Sequence, residues 1–204
     1  MQSITHEEQR ERWEKEHKTP QVLLQMDASS ASSGVVKFIE WLKQNNSSID
    51  KLHGLEVCCG KGRNVIGLAA ARITATGLDF SENAIKEARH RARDLGVSDK
   101  TTFQVQDVTK PFAVKQGSFD FVVDCFGSTD IESLAGRQAL LENVIQALKP
   151  GGYLMVYLLS TDDEFHKEMI EKHPGPDFGS FIHPINRKYE KAFTEDEVKN
   201  SMVQ

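Results

Sequence analysis

Leu55-Glu56-Val57-Cys58-Cys59-Gly60-Lys61-Gly62-Arg63-Asn64 reads as a strand running into a glycine-rich loop. A loop of this kind at the start of a helix brings backbone N–H groups close to a ligand. Glu56 stands four residues before the first glycine, Gly60. A carboxylate so near the loop would repel a diphosphate. The stretch therefore points to a ligand that carries a nucleoside but no phosphate.

Working outward, strand and helix patterns alternate. The first strand spans about 54–58, and the helix after the loop turns Val65, Leu68 and Ala69 inward. A second strand covers about 73–79. Ser81 can cap the next helix, whose apolar face is Ile85, Ala88, Ala92 and Leu95, and Gly96 can end it. A third strand follows at about 102–106. Lys110-Pro111 breaks the chain before the apolar run 119–124, which suits a fully buried strand. A helix around 138–148 shows Leu141, Val144, Ile145 and Leu148, and Lys149-Pro150-Gly151-Gly152 turns into a fifth strand at 153–159. This alternation means an α/β fold, with a parallel sheet and helices on both faces.

The flanks are less regular. Residues 4–18 form a charged helix in which Glu8/Arg12, Glu11/Lys15 and Glu14/Lys18 are acid-to-base pairs at i,i+4, with Trp13 its one large apolar residue. Residues 19–34 are loop-like, and a helix follows with Val35, Phe38, Ile39 and Leu42 on one face. Residues 160–193 show no period. Thr194-Glu195-Asp196-Glu197 is a capping box that starts a last helix.

Composition sets bounds on function. At 204 residues, 39% hydrophobic and 27% charged, the chain fits one soluble globular domain. A net charge of −5 lacks the basic balance of a nucleic-acid binder. Three cysteines, two of them adjacent, argue against a disulfide framework and for a reducing compartment. No CxxC spacing suggests zinc. The absence of an apolar N-terminal run argues against a signal peptide or membrane anchor, so the expected location is the cytoplasm.

Several residues are candidates for chemistry, each beside a plainer reading. Asp79 ends the second strand, where an acidic residue can accept both hydroxyls of a ribose; a turn aspartate is the alternative. Asp107 ends the third strand and can accept from an adenine amino group while Val108 packs on the ring, or it can cap a loop. Glu56 inside a strand would be costly unless paired; it can hold an ammonium group or the loop N–H groups. Cys58 and Cys59 read as small buried residues where bulky ones would block the loop. Cys125, His166, His173, His183 and Tyr189 are candidate contacts to a second substrate or plain structural residues.

Together these motifs resemble the class I S-adenosylmethionine-dependent methyltransferases. Leu55 to Gly62 looks like that family's first motif, Gly77-Leu78-Asp79-Phe80-Ser81 like its second-strand motif, and Gln106-Asp107-Val108 like its adenine-site motif. Residues 119–124 look like the fourth-strand motif, and Leu148-Lys149-Pro150-Gly151-Gly152 like the turn before the fifth strand. The narrower likeness, through Gly62-Arg63-Asn64, Trp13 and Thr19-Pro20, is to small-molecule methyltransferases of the thiopurine and tellurite-resistance type. The resemblance implies a Rossmann-like doubly wound sheet, mostly parallel, with S-adenosylmethionine as cofactor. It places Glu56 and the Cys58, Cys59, Gly60 and Gly62 loop on the methionine part, Asp79 on the ribose, and Asp107 with Val108 on the adenine. Asn64, Phe80 and Asp124 complete the candidate cofactor site, with Asp124 nearest the methyl group.

The family usually has glycine where Cys58 stands, and its sheet usually ends in an antiparallel hairpin, for which the pattern of this chain shows no convincing pair of strands. A single domain over 1–204 is expected, with 1–34 a lid-like segment, 35–159 the cofactor core and 160–204 a cap on the acceptor side. The strongly apolar fifth strand should then be covered on both faces and paired on both sides, its open edge covered by 160–204 or by a second copy in a homodimer. The acceptor is expected to be a small molecule, with no nucleic acid, membrane or metal involved. The rival readings are an NAD-dependent oxidoreductase, which wants a glycine near Val65, and a binding protein of the same fold without activity.

Overall fold

The computed structural model describes residues 4–22 and 30–201. The chain order is α1 (His6–Lys18), α2 (Ser33–Asn45), β1 (His53–Val57), α3 (Arg63–Ala70), β2 (Thr74–Asp79), α4 (Glu82–Asp94), β3 (Thr101–Val105), β4 (Phe119–Cys125), α5 (Leu134–Ala147) and β5 (Leu148–Tyr157). After these come β6 (Leu159–Ser160), α6 (Glu164–Lys172), β7 (Ser180–Ile182), β8 (Tyr189–Phe193) and α7 (Glu195–Ser201). Of the loop expected at 19–34, residues 23–29 lie outside the described residues.

Five strands form one sheet in the order β3-β2-β1-β4-β5, and every neighbouring pair is parallel. The order reverses between β1 and β4, which opens a crevice at their carboxyl ends. The side-chain alternation of a strand builds a core on each face. Phe121 and Val123 pack with Val35, Leu42, Val65 and Ile85 from α2, α3 and α4. Leu55, Val57 and Val122 pack with Leu140, Val144 and Ala147 from α5. Ser81 caps α4 by accepting from Ala84 N–H at 3.1 Å.

Four expectations change. The face of α5 is Leu140, Val144 and Ala147, while Ile145 is 58% exposed. The helix begins at Leu134, earlier than its pattern suggested, and its buried stripe falls one residue earlier than expected at Leu140 and Ala147. In α1 the i,i+4 ion pairs give way to other bonds: Glu8 closes a capping box with Thr5, Arg12 donates to Arg187 C=O, and Glu14 accepts from Asn83. The apolar fifth strand is not buried on both faces; Tyr153 and Tyr157 are 42% and 36% exposed, and among the described residues β5 pairs only with β4. Trp41 of α2 stacks edge-on against Tyr153 at 4.9 Å, so aromatic contact covers part of that strand.

The fourth change concerns the C-terminal part. It does contain an antiparallel pair, β7 with β8, but the pair builds a second sheet of order β6-β8-β7 instead of extending the first. It is held against α1 by Gln9, whose side-chain amide accepts from Tyr189 N–H (2.9 Å) and donates to Tyr189 C=O (2.9 Å). Residues 160–201 therefore fold toward the crevice and, among the described residues, leave the β5 edge open. The capping box at the start of α7 is present, with Glu197 N–H donating to Thr194 Oγ1 at 3.1 Å and Thr194 N–H donating to Glu197 at 2.9 Å.

Candidate functional site

The crevice at the ends of β1, β2 and β4 holds a cavity of about 550 Å³. The loop residues Cys58, Cys59, Gly60 and Lys61 form its floor. Cys58 itself adopts a left-handed backbone (φ 53°), as do Gly60 (φ 52°) and Gly62 (φ 76°). A cysteine thus holds a conformation that favours glycine. Gly62 caps α3, and a Cβ there would come within 2.7 Å of Phe103. The third glycine wanted by an NAD fingerprint is replaced by Val65, which is buried in the core.

Glu56 reaches the cavity from β1 and is 2% exposed. Its Oε1 accepts from Asn64 Nδ2 at 2.6 Å, while Oε2 has no partner among the described residues. Burial pushes its carboxyl up to about 8, against the weaker pull of the Asn64 bond and the Arg63 charge. Asn64 is itself fixed by Ser32 N–H, which donates to its Oδ1 at 2.8 Å.

Asp79 accepts from Gly60 N–H (2.8 Å) and Ser81 N–H (2.9 Å), and burial raises it to about 6. It therefore both shapes the loop and faces the cavity, where each oxygen keeps a second lone pair. Phe80 and Val108 line the cavity beside it. Asp107 accepts from Thr109 N–H and Oγ1 and from His6 Nε2 at 3.0 Å. Burial would raise its carboxyl, but the Thr109 and His6 bonds outweigh it and hold the group below its usual range.

Not every expected residue reaches the cavity. Asp124 is 5% exposed, but it does not line the space; its carboxylate accepts from Ser128 N–H and Oγ and caps the short turn Ser128–Asp130. Gly62 likewise shapes the loop without lining the cavity. Among the acceptor candidates Cys125 lines it, with its thiol 3.3 Å from Ser32 Oγ, whereas His166, His173, His183 and Tyr189 do not. Strand alternation explains Tyr189: Lys188 and Glu190 face the cavity, so Tyr189 points to the other side. There its hydroxyl bonds Asp177 and Arg137, each at 3.0 Å.

The remaining walls were not legible as a site. From α1 come His6, Gln9, Arg10, Trp13 and His17, spaced so as to share one helix face. That spacing around Trp13 was the available signal. From the turn after β4 come Thr129 and Asp130, and from β8 and its approach Lys188 and Glu190. Only folding brings these segments together. Five buried side-chain atoms lack a hydrogen-bond partner among the described residues: Arg10 Nε, Trp13 Nε1, His17 Nδ1, Glu56 Oε2 and Thr129 Oγ1. All five belong to residues around this cavity. Buried polar groups are normally paired, so this concentration marks a place built for a polar guest.

A family model for a methyltransferase domain matches residues 49–196. The chain belongs to the methyltransferase domain family. Among curated relatives of this methyltransferase domain, a demethylmenaquinone methyltransferase of Leptospira interrogans is 30% identical over 114 residues, 55% of this chain and 44% of the relative. One from Bacteroides fragilis is 28% identical over 137 residues, 62% of this chain and 54% of the relative. The chain spans about half the length of these relatives. Among solved structures, an S-adenosylmethionine-dependent methyltransferase of Methanosarcina mazei aligns with a TM-score of 0.69 at 24% identity, over 79% of this chain and 81% of that one. A protein of echinomycin biosynthesis, where a disulfide bond is converted into a thioacetal group, aligns with a TM-score of 0.70 at 20% identity, over 95% and 78%. These likenesses support the Rossmann-like fold of the methyltransferase domain. No helix among the described residues is long and apolar enough to cross a membrane.

Proposed function

We propose that the chain binds S-adenosylmethionine and transfers its methyl group to a small molecule. The observation that carries this is the open Oε2 of Glu56, buried at the glycine loop of a methyltransferase domain. An unpaired buried carboxylate oxygen beside the loop is a seat for the ammonium of the cofactor's methionine part. Asp79 would accept the ribose hydroxyls through its remaining lone pairs. Asp107 would accept from the adenine, and Val108 and Phe80 would flank the ring. These residues fit the cofactor.

The bound cofactor supplies an electrophilic methyl group on a sulfonium. What the chain must add is alignment and exclusion of water. Helix α1 covers the cavity and would act as the lid, with 35–159 the cofactor core and 160–204 the acceptor-side cap of one domain. Gln9 ties lid and cap together. A general base is needed only for an acceptor that carries a proton at working pH. The curated relatives are named for demethylmenaquinone, whereas the acceptor of this chain is a small molecule whose class the far wall of the cavity selects. The open β5 edge is where two copies would meet if the protein forms a homodimer.

Calorimetry with S-adenosylhomocysteine tests the reading. Asp79→Ala removes the ribose acceptors and is expected to cost roughly 1.5–3 kcal/mol of binding. The same substitution frees Gly60 N–H, so a thermal melt must first show that the variant is folded. Unchanged affinity in a folded variant would overturn the ribose assignment, and no binding to the native protein would overturn the function.

A further inference from the structure

The wall of the cavity away from the glycine loop carries more acid than base. Asp130 ends the turn after β4, and Glu190 lies on β8 beside it. Both face the cavity, and so does Lys188, whose side chain is only 3% exposed. The Lys188 Nζ sits 3.9 Å from Glu190 Oε1 and 3.1 Å from the centre of the Trp13 ring. The Asp130 carboxylate accepts no hydrogen bond from a described residue; its backbone carbonyl accepts from Gln9 Nε2 and its N–H donates to Gly127 C=O. Next to it, Thr129 is 2% exposed with Oγ1 unpaired.

The charges that face this pair come from several elements. Lys188 acts on both carboxyls; Asp124 of β4 and Asp79 of β2 act on Asp130, and Glu16 of α1 acts on Glu190. His17, also on α1, adds no cation, because burial and then the Lys61 and Lys188 charges lower it to about 4. One buried ammonium thus faces two partly buried carboxyls, the Glu190 side chain being 17% exposed, and further acids surround them. An uncompensated buried charge is costly, so either the carboxyls stay protonated or a cationic guest joins Lys188. The guest has a precedent inside the wall: Lys188 already shows that an ammonium fits between the Trp13 face and a carboxylate. The open Thr129 hydroxyl gives such a guest a further acceptor.

We propose that Asp130 and Glu190 are the acceptor-binding acids of this site, and that the acceptor is an amine that enters as its ammonium ion. This rests on the methyl-transfer reading above. Asp130 takes one proton from the ammonium and later passes it to solvent. The freed nitrogen lone pair forms the new N–C bond as the S–C bond breaks, and that bonding pair stays on sulfur. The products are a methylated ammonium and a neutral thioether, so charge and protons balance. Burial raises both carboxyls, which brings them closer to the range useful for proton transfer. A neutral quinone would leave the acids uncompensated, and a thiolate would be repelled by them.

The experiment has two stages. S-adenosylhomocysteine binding is first measured for the native protein, Asp130→Asn and Glu190→Gln, with thermal melts to establish folding. Binding within about twofold in all three is expected, since neither acid is assigned to the cofactor. Phenethylamine, thiophenol and benzoate are then titrated into each complex. The amine should bind the native complex and lose about tenfold or more in each variant, the loss of one charge-assisted bond. With S-adenosylmethionine, mass spectrometry should show N-methylphenethylamine, and Asp130→Asn should remove the acid limb of the pH–rate profile. The proposal is overturned if the amine fails to bind at millimolar concentration, if both folded variants bind it as well as the native protein, or if thiophenol or benzoate binds better. Failure of the native protein to bind S-adenosylhomocysteine would overturn the methyltransferase function itself, and this proposal with it.

Discussion

Two residues of the loop make sharp predictions. Glu56 is held near 8 by burial, far above an exposed glutamate, and its ammonium seat would reverse that. Because the folded protein keeps this proton while the unfolded chain loses it near pH 4.5, the native state binds more protons between about 4.5 and 8. The Glu56 contribution to stability therefore falls as pH rises through that window. Glu56→Gln should flatten the pH dependence of the melting temperature there, and a variant whose curve parallels that of the native protein would refute the raised carboxyl. At pH 7, cofactor-product binding should release a proton from Glu56, read as a buffer-dependent calorimetric enthalpy that shrinks in the glutamine variant. Asp79, near 6, adds a smaller release in the same direction. Cys58 holds φ 53° without being glycine. Comparing Cys58→Gly with Cys58→Ala cancels the lost thiol, so the glycine variant should be the more stable by about 1 kcal/mol. Equal stability in urea would show that the left-handed turn carries no strain.

At the scale of elements, α1 is the piece whose role the fold decides. Its sequence is a charged helix, yet it docks through Gln9, which satisfies both backbone groups of Tyr189 and is 3% exposed. Gln9→Ala removes this partner from the Tyr189 N–H and from the Tyr189 and Asp130 carbonyls, at about 1–3 kcal/mol for each group left buried and unpaired. The expected result is faster exchange at the Tyr189 amide and faster proteolysis within residues 5–22. S-adenosylhomocysteine should slow that cleavage in the native protein. If cleavage is equally fast with and without it, α1 is not a lid.

At the scale of the whole molecule, one sheet carries two cores on opposite faces. Ile85 lies in the core under α2, α3 and α4, and Leu140 in the core under α5. Ile85→Val should cost about 0.5–1.5 kcal/mol and Leu140→Ala about 2–5 kcal/mol. Since the two share no packing cluster, the double variant should lose their sum to within about 0.5 kcal/mol. A larger departure in urea unfolding would mean that the faces are coupled through the sheet.

The strands and the residues that line the loop side of the cavity were legible because both rest on short-range rules. A parallel strand buried on both faces must be apolar through and through, as in Phe119–Cys125, and a loop that approaches a ligand needs glycine, as at Gly60 and Gly62. Strand ends fall at the crevice by topology, which is why Glu56, Asp79, Asp107 and Val108 could be placed from the chain alone. Asp124 broke the pattern because a strand-end carboxylate can turn to cap the next turn, and its choice of Ser128 depends on geometry no spacing records. The sequence by itself determined the parallel sheet, its order of elements and the loop chemistry. Tertiary structure alone brought together the cavity wall away from the glycine loop, since Trp13, Asp130 and the Lys188–Glu190 stretch come from three segments far apart in the chain. It also decided that the C-terminal residues close the crevice and leave β5 at the edge. A polar residue gains its role there from which buried partner is missing, and that is set by packing between distant segments, not by any local period.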